Sequence, residues 1–318
     1  MNEKILSLLR NSESYVSGEE ISRKLGVSRA GIWKHIQELR QEGYDIVAVP
    51  HLGYELVSAP DRLLPDEISA GLNTKIIGKQ IYHYDSLDST MDMAMDVAIK
   101  GSPEGFVVCA ETQHKGRGRL GRSWQSAKHK GIYFSVVLRP KLLPLECPKL
   151  TLLSAICCCE AIRKLSGLDC SIKWPNDLVV GNKKIGGILT EMNAEADQIK
   201  FIIIGIGINV NTSTSMLPPK ASSIKELSGK RISRVELLRN ILQNIDREYS
   251  VFQKGNFELI IDKSKKYSST LGHRVMVISH RDTIEGEALD IDSDGGLLIR
   301  DDVGMVQKIM AADIVKIR

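Results

Sequence analysis

The segment GRGRLGRSW, residues 116–124, places three arginines and three glycines in nine positions. Arginine presents forked donors that match carboxylate or phosphate oxygens. Glycine lets backbone N–H groups approach an anion and lets a loop move. The expected chemistry is the handling of a carboxylate or a phosphate. Three arginines this close repel one another, so the loop is expected to order only when an anion arrives. The alternative is an exposed basic loop, or a nucleic-acid contact. Gly116, Gly118 and Gly121 spell G-x-G-x-x-G, but the next segment reads as strand, so a dinucleotide fold fits poorly. No G-K-[ST] follows, so the P-loop pattern is absent.

A second constellation is KWPNDL, residues 173–178, followed by KKIGGIL, residues 183–189. Asn176 and Asp177 suit a turn. Lys184, at the edge of the next strand, suits neutralising a phosphate or carboxylate, and Gly186 and Gly187 allow close backbone approach. A third is GIGINVN, residues 205–211. There Asn209 ends a buried strand and either holds a ribose or phosphate or caps the strand end.

These loops must hang on a scaffold. Ile81–Tyr84, Ile132–Leu138 and Asp177–Val180 read as strands, as do residues 105–111, 172–174, 185–191 and 201–210. Residues 90–100 and 150–165 read as helices, and a Ser233/Glu236 capping box opens another that runs to about Tyr249. A mixed sheet flanked by helices is expected. Residues 59–79 read as a connector with one helical turn. From Leu271 onward, strand patterns alternate with turns around His280–Asp282 and residues 293–296, which supports a small packed appendage.

The first sixty residues read differently. Ile5, Leu8 and Leu9 have helical spacing. Ser17 and Glu20 form a capping box, Gly26 ends that helix, and Ser28 caps a third with Ile32, Ile36 and Leu39 on one face. This register is a helix-turn-helix, and two strands about residues 50–53 make a wing. Arg29, Trp33, Lys34 and Gln37 lie off the apolar face and suit phosphates and base edges. Trp33 reads either as core or as a contact to the DNA backbone or a thymine methyl. The segment carries seven Lys and Arg against eight Asp and Glu, so a fold used only for protein contacts is the alternative.

Global composition narrows the class. The 318 residues, 42% hydrophobic and 26% charged, are those of an ordinary globular chain. No run approaches the ~18 apolar residues of a membrane helix, and no secretion signal is read at the N-terminus. None of the six cysteines makes a CxxC pair, so buried thiols in a reducing cytoplasm are expected. The net charge of +4 is uneven: residues 112–130 hold six cations and no acid. The excess therefore belongs to the loop and suits a carboxylate or a phosphate, whereas the N-terminal segment must bind DNA by local placement of cations.

Together these strings resemble the bacterial biotin protein ligases, specifically the bifunctional kind whose N-terminal domain represses biotin genes. The likeness covers essentially the whole chain, with GRGRxGRxW, KWPND, the lysine before GGIL and the GIN turn in order. It implies an α+β protein of three domains with a linker over 63–79: a winged helix-turn-helix over 1–62, a catalytic domain over 80–268 with a sheet like that of class II aminoacyl-tRNA synthetases, and an SH3-like barrel over 269–318. The implied reaction joins biotin to ATP as biotinyl-5′-adenylate and passes biotin to a lysine of a biotin carboxyl carrier protein. Mg²⁺ comes with the phosphates and no protein metal site is implied. The adenylate-loaded homodimer then binds operator DNA in the cytoplasm.

By this resemblance Lys184 contacts both carboxylate and phosphate and, with Arg119, carries the catalysis. Arg117 and Arg119 meet biotin and the nascent adenylate. Trp124 stacks on adenine with Arg122 near it. Ser89 and Thr90 bond the ureido ring, Gln113 and Tyr133 line the same pocket, and Gly116, Gly118 and Gly187 approach biotin. Asn176 and Asn209 lie around the nucleotide. Ser28, Arg29, Trp33, Lys34 and Gln37 face DNA. Two positions depart from the family: Met91 stands where Asn is frequent after the Ser-Thr pair, and Trp33 replaces a commonly polar residue. A lipoate-type ligase is disfavoured by the arginine spacing. A non-catalytic biotin-sensing transcription factor is disfavoured by intact Lys184 and Arg119.

Overall fold

The computed structural model describes residues 1–12, 14–195, 198–278, 283–310 and 312–317, with side chains as far as 314. The expected turn at His280–Asp282 falls outside them. The chain divides into two compact units, residues 1–62 and 63–318.

In the first unit, α1 (Asn2–Arg10), α2 (Gly18–Leu25) and α3 (Arg29–Gln41) precede the antiparallel strands β1 (Asp45–Val49) and β2 (Gly53–Ser58). Ser17 Oγ accepts the Glu20 N–H at 3.0 Å, while the Glu20 carboxylate pairs with Lys24 at 2.8 Å. Gly26 takes the left-handed conformation, φ +67°, that ends α2. Ile21, Ile32, Ile36 and Leu39 fill the core with Ile5, Leu6 and Leu9. Leu6, not Leu8, completes the α1 face, because Leu6 and Leu9 lie three apart and Ile5 and Leu9 four apart. Val16 and Tyr54 exchange backbone bonds of 2.8 and 2.9 Å. A Cβ on Gly53 would stand 2.2 Å from the Val16 carbonyl, so glycine is required there.

The second unit is built on a seven-stranded sheet. Its strands are β3 (Ile81–Tyr84), β4 (Val107–Ala110), β5 (Ile132–Leu138), β6 (Cys170–Lys173), β7 (Asp177–Val180), β8 (Lys183–Glu195) and β9 (Gln198–Ile208). The order is β3-β4-β5-β9-β8-β7-β6, with β3 and β4 parallel and the other pairs antiparallel. Side chains alternate between its faces. Ile202, Ile204, Ile206 and Ile208 of β9 join one core with α6 (Cys147–Ser166) and α8 (Arg234–Phe252). Phe201 and Ile203 join the other with α5 (Thr90–Ile99). Both faces are covered, which is why β5 and β9 read as continuous apolar runs.

The 63–79 segment is no free linker. It carries the short α4 (Pro65–Ser69) and buries Leu63, Ile68 and Ile77. Asp246 of α8 accepts the N–H groups of Lys75, Ile76 and Ile77 at 2.8, 2.7 and 2.9 Å. Two further helices, α7 (Ile224–Ser228) and α9 (Glu258–Tyr267), had no clear periodic signal.

The C-terminal strands β10 (Arg274–Ile278), β11 (Thr283–Ile291), β12 (Leu297–Arg300), β13 (Val306–Ile309) and β14 (Asp313–Ile317) form an antiparallel sheet, ordered β13-β12-β11-β10-β14. Its core shares Leu152, Trp174 and Ile261 with the helices and loops of the unit. Trp174 Nε1 donates to the Gly295 carbonyl at 3.1 Å, so the sheet is held against the unit rather than hung from it.

Candidate active site

On the α5 face, the β9 positions run Phe201, Ile203, Gly205, Gly207. The side chains dwindle to nothing, and a cleft of about 210 Å³ lies where they end. Gly187 of β8 pairs with Gly207 and widens the floor. A register shift between β7 and β8 then decides where the lysine points. Leu178 opposes Gly186 and Val179 opposes Lys184, leaving Ile185 as the extra residue. Ile185 enters the core, and Lys184 moves to the face of Gly187 and Asp177. Lys184 Nζ lies 2.6 Å from Asp177 Oδ1 and 5.8 Å from the Trp124 ring centroid.

One end of the cleft is neutral and polar. Ser89 caps α5 by accepting the Asp92 N–H at 3.4 Å. Gln113 Oε1 accepts from Thr90 N and Oγ1 at 2.8 and 3.1 Å, and Ser135 Oγ donates to Thr90 Oγ1 at 2.9 Å. Gln113 Nε2 donates to Ser126 Oγ at 3.2 Å. Met91 turns into the α5 core and lies against Gly205, where a Cβ would meet its sulfur at 2.6 Å.

The other end is cationic. The 116–124 loop folds back on itself, with Gly118 N–H to the Arg122 carbonyl at 2.7 Å and Trp124 N–H to the Gly116 carbonyl at 2.8 Å. Arg117 reaches Asp92 at 2.8 Å and Glu191 at 3.0 Å. Arg119 donates to Asn176 Oδ1 at 3.2 Å and to the Ala312 carbonyl at 3.1 Å, and pairs with Asp313 at 3.3 Å. Arg122 pairs with Asp313 as well. The protein's own carboxylates, from α5, β8 and the C-terminal sheet, offset the repulsion. The Trp124 ring packs against Gly207, where a Cβ would meet it at 2.6 Å.

The cleft thus gathers Ser89, Thr90, Gln113, Arg117, Gly118, Arg119, Arg122, Trp124, Asn176, Lys184 and Gly187. Gly116 stands at the base of the loop, where a Cβ would meet the Trp124 carbonyl at 2.7 Å. Two expected residues are not brought in. Tyr133 is 1% exposed, with its hydroxyl donating to the Ala127 carbonyl at 3.2 Å. Asn209 is buried and donates its amide to the Ser222 carbonyl at 3.1 Å, so it caps the strand end. Lys173, Asp177, Gly205, Gly207 and Asp313 were not among the expected site residues, yet all stand on the cleft wall. Burial, with Lys184 and Lys220 nearby, lowers the Lys173 pKa. The Gly205-x-Gly207 alternation was a readable signal. Asp313, far along the chain, left none.

In the first unit, Trp33 is 59% exposed, which excludes the core reading. Lys34 is exposed beside it and Gln37 is half-buried. Arg29 pairs with Glu19 at 2.7 Å, and the Ser28 hydroxyl accepts the Gly31 N–H at 3.2 Å.

A fold with an anion-handling cleft beside a neutral polar end, carried with a helix-turn-helix unit, defines an acid-activating ligase with a DNA-binding module. Residues 84–209 match the biotin/lipoate A/B protein ligase family, residues 2–55 an HTH domain, and residues 270–316 the biotin protein ligase C-terminal domain. The chain is 38% identical over 304 residues to the bifunctional ligase/repressor BirA of Bacillus subtilis, covering 94% of this chain and 93% of that protein. It is 31% identical to the Escherichia coli protein of the same name, covering 98% and 95%. The Aquifex aeolicus biotin protein ligase, solved with biotin and ATP, superposes with a TM-score of 0.65 at 29% identity, over 76% of this chain and 99% of that one. The chain belongs to the biotin protein ligase family, with the bifunctional ligase/repressors.

Proposed function

We propose that this chain joins biotin to ATP as biotinyl-5′-adenylate, transfers biotin to a lysine of a biotin carboxyl carrier protein, and represses biotin genes while loaded with the adenylate. The observation that carries the reading is the two-ended cleft. A neutral wall of Ser89, Thr90 and Gln113 suits a ureido ring, and the cations Arg117, Arg119, Arg122 and Lys184 suit a carboxylate beside a triphosphate.

In the first step a biotin carboxylate oxygen attacks the α-phosphorus, and the bond to pyrophosphate breaks. Two anions must approach, so the barrier is largely electrostatic repulsion. Lys184 and Arg119 place positive charge where the attacking and bridging oxygens meet. Trp124 offers a flat face for adenine, and Asn176, which orients Arg119, serves the nucleotide end. In the second step the carrier lysine attacks the acyl carbon and AMP leaves. Among the described residues no group of three His, Cys, Asp or Glu is arranged for a metal. Mg²⁺ bound with the nucleotide would offset the charge of the pyrophosphate.

The finer architecture follows the same reading: a winged helix-turn-helix over 1–62, a catalytic domain of the class II synthetase type over 80–268 with 63–79 packed onto it, and an SH3-like barrel over 269–318. Trp33, Lys34, Gln37 and Arg29 face operator DNA, and binding is by a homodimer. Among the described residues no helix is long and apolar enough to cross a membrane. A reducing cytoplasm suits the free thiols. The test incubates the protein with biotin, ATP, Mg²⁺ and a biotin-accepting carrier domain, and weighs the carrier. A mass gain of one biotinyl group supports the proposal; an unchanged carrier overturns it. A promoter fragment of a biotin gene should shift only with biotin and ATP present.

A further inference from the structure

The mechanism above makes no use of the ion pair between Glu111 and Arg234, although both side chains are 0% exposed. Glu111 follows the last residue of β4, where its N–H donates to the Tyr84 carbonyl at 3.0 Å. Its Oε2 accepts from Arg234 Nη1 at 2.6 Å, and its Oε1 accepts the Leu63 N–H at 2.8 Å. His129 Nδ1 stands 3.1 Å and His83 Nε2 3.5 Å away. Arg234, the first residue of α8, also donates to the Gly131 carbonyl at 3.1 Å. One carboxylate thus ties together the 63–79 segment, β3, the turn before β5 and the start of α8. Burial pushes the Glu111 carboxyl up, but His83, Arg234 and the Leu63 N–H together hold it well below the usual range.

Two residues further on, Gln113 accepts both hydrogen bonds from Thr90. Between them, Thr112 Oγ1 donates to the Ser126 carbonyl at 2.6 Å, and its carbonyl accepts the Leu87 N–H at 3.3 Å. The chain from Glu111 to Gln113 therefore leaves the sheet from a fixed anchor and enters the neutral wall of the cleft. A buried ion pair is a poor device for stability alone, since apolar side chains of similar volume often serve as well. Its directional bonds instead fix where the following residues point. We propose that Glu111 is a positioning residue for biotin, acting through Gln113 and Thr90. This rests on the reading of that wall as the biotin-recognising end.

The test is Glu111→Gln in the full chain, followed by biotin-dependent pyrophosphate release with biotin and ATP varied separately and the folded fraction read by circular dichroism. The biotin KM is expected to rise about tenfold, the size of one misaligned hydrogen bond, with the ATP KM and kcat within about twofold. Glu111→Gln removes the carboxylate charge that faces the buried Arg234 and lowers stability. Arg234→Lys, which keeps the buried charge, therefore serves as the second variant. It should show the same selective rise at about threefold with a Tm near the parent's. Equal rises in both KM values, or an unchanged biotin KM in folded variants, overturn the proposal. A parent protein that releases no pyrophosphate with biotin defeats the proposed function instead. A parent that does, with no such split in the variants, defeats this inference alone.

Discussion

The Lys184 ammonium rests 2.6 Å from the Asp177 carboxylate, on the cleft face of neighbouring strands, because one extra residue at Ile185 turns the lysine around. Lys184→Ala should lower adenylate formation by at least about 100-fold, the scale for removing a cation from a developing anionic centre. Pyrophosphate exchange measures it, and a rate near the parent's would contradict the role.

Asp313 holds Arg119 and Arg122 together, which ties the loop to the C-terminal sheet. Arg122 is largely exposed, so its share of the closure is modest, about 1 kcal/mol or less. Asp313→Asn should speed trypsin cleavage within residues 116–124 by about fivefold in the absence of substrates. Biotin and ATP together should slow cleavage in both proteins. Identical cleavage of parent and variant would show that the carboxylate does not close the loop.

Glu111 gives the acid side of the stability profile a direction. Its folded pKa lies below that of the unfolded chain. Its contribution is therefore complete above the unfolded value, roughly 4.3, and is lost as pH falls from there through the folded value. Tm should drop steeply below about pH 4.5 in the parent and less steeply in Glu111→Gln. Parallel Tm curves between about pH 5 and 3 would contradict the linkage.

Much of this arrangement was legible in the sequence. The continuous apolar runs placed β5 and β9, and Ser233 placed the start of α8. The arginines and Lys184 line one cleft, as does Trp124, which the family resemblance had placed there. The failures share a cause: they depend on contacts distant in sequence. Tyr133 and Asn209 have suitable chemistry but spend it on Ala127 and Ser222. The 63–79 segment carries turn residues, yet Asp246 captures three of its N–H groups. The loop's own charge suggested repulsion, and Asp92, Glu191 and Asp313, none within the loop, pair with its arginines.

The thiols divide by burial. Cys109, Cys157, Cys158, Cys159 and Cys170 are buried, and Cys147 is half-buried, its pKa pushed up to about 11 by desolvation. A thiol reagent at neutral pH should label Cys147 slowly and the others only after unfolding. Rapid labelling of a buried cysteine in the native protein would contradict the packing around α6.

The central claim is that the cleft activates biotin as an adenylate. Its most direct test is pyrophosphate release from ATP with biotin, with lipoate, and with neither acid. Release with biotin alone, abolished by Lys184→Ala, is the predicted result. No release with biotin, or equal release with lipoate, would contradict it.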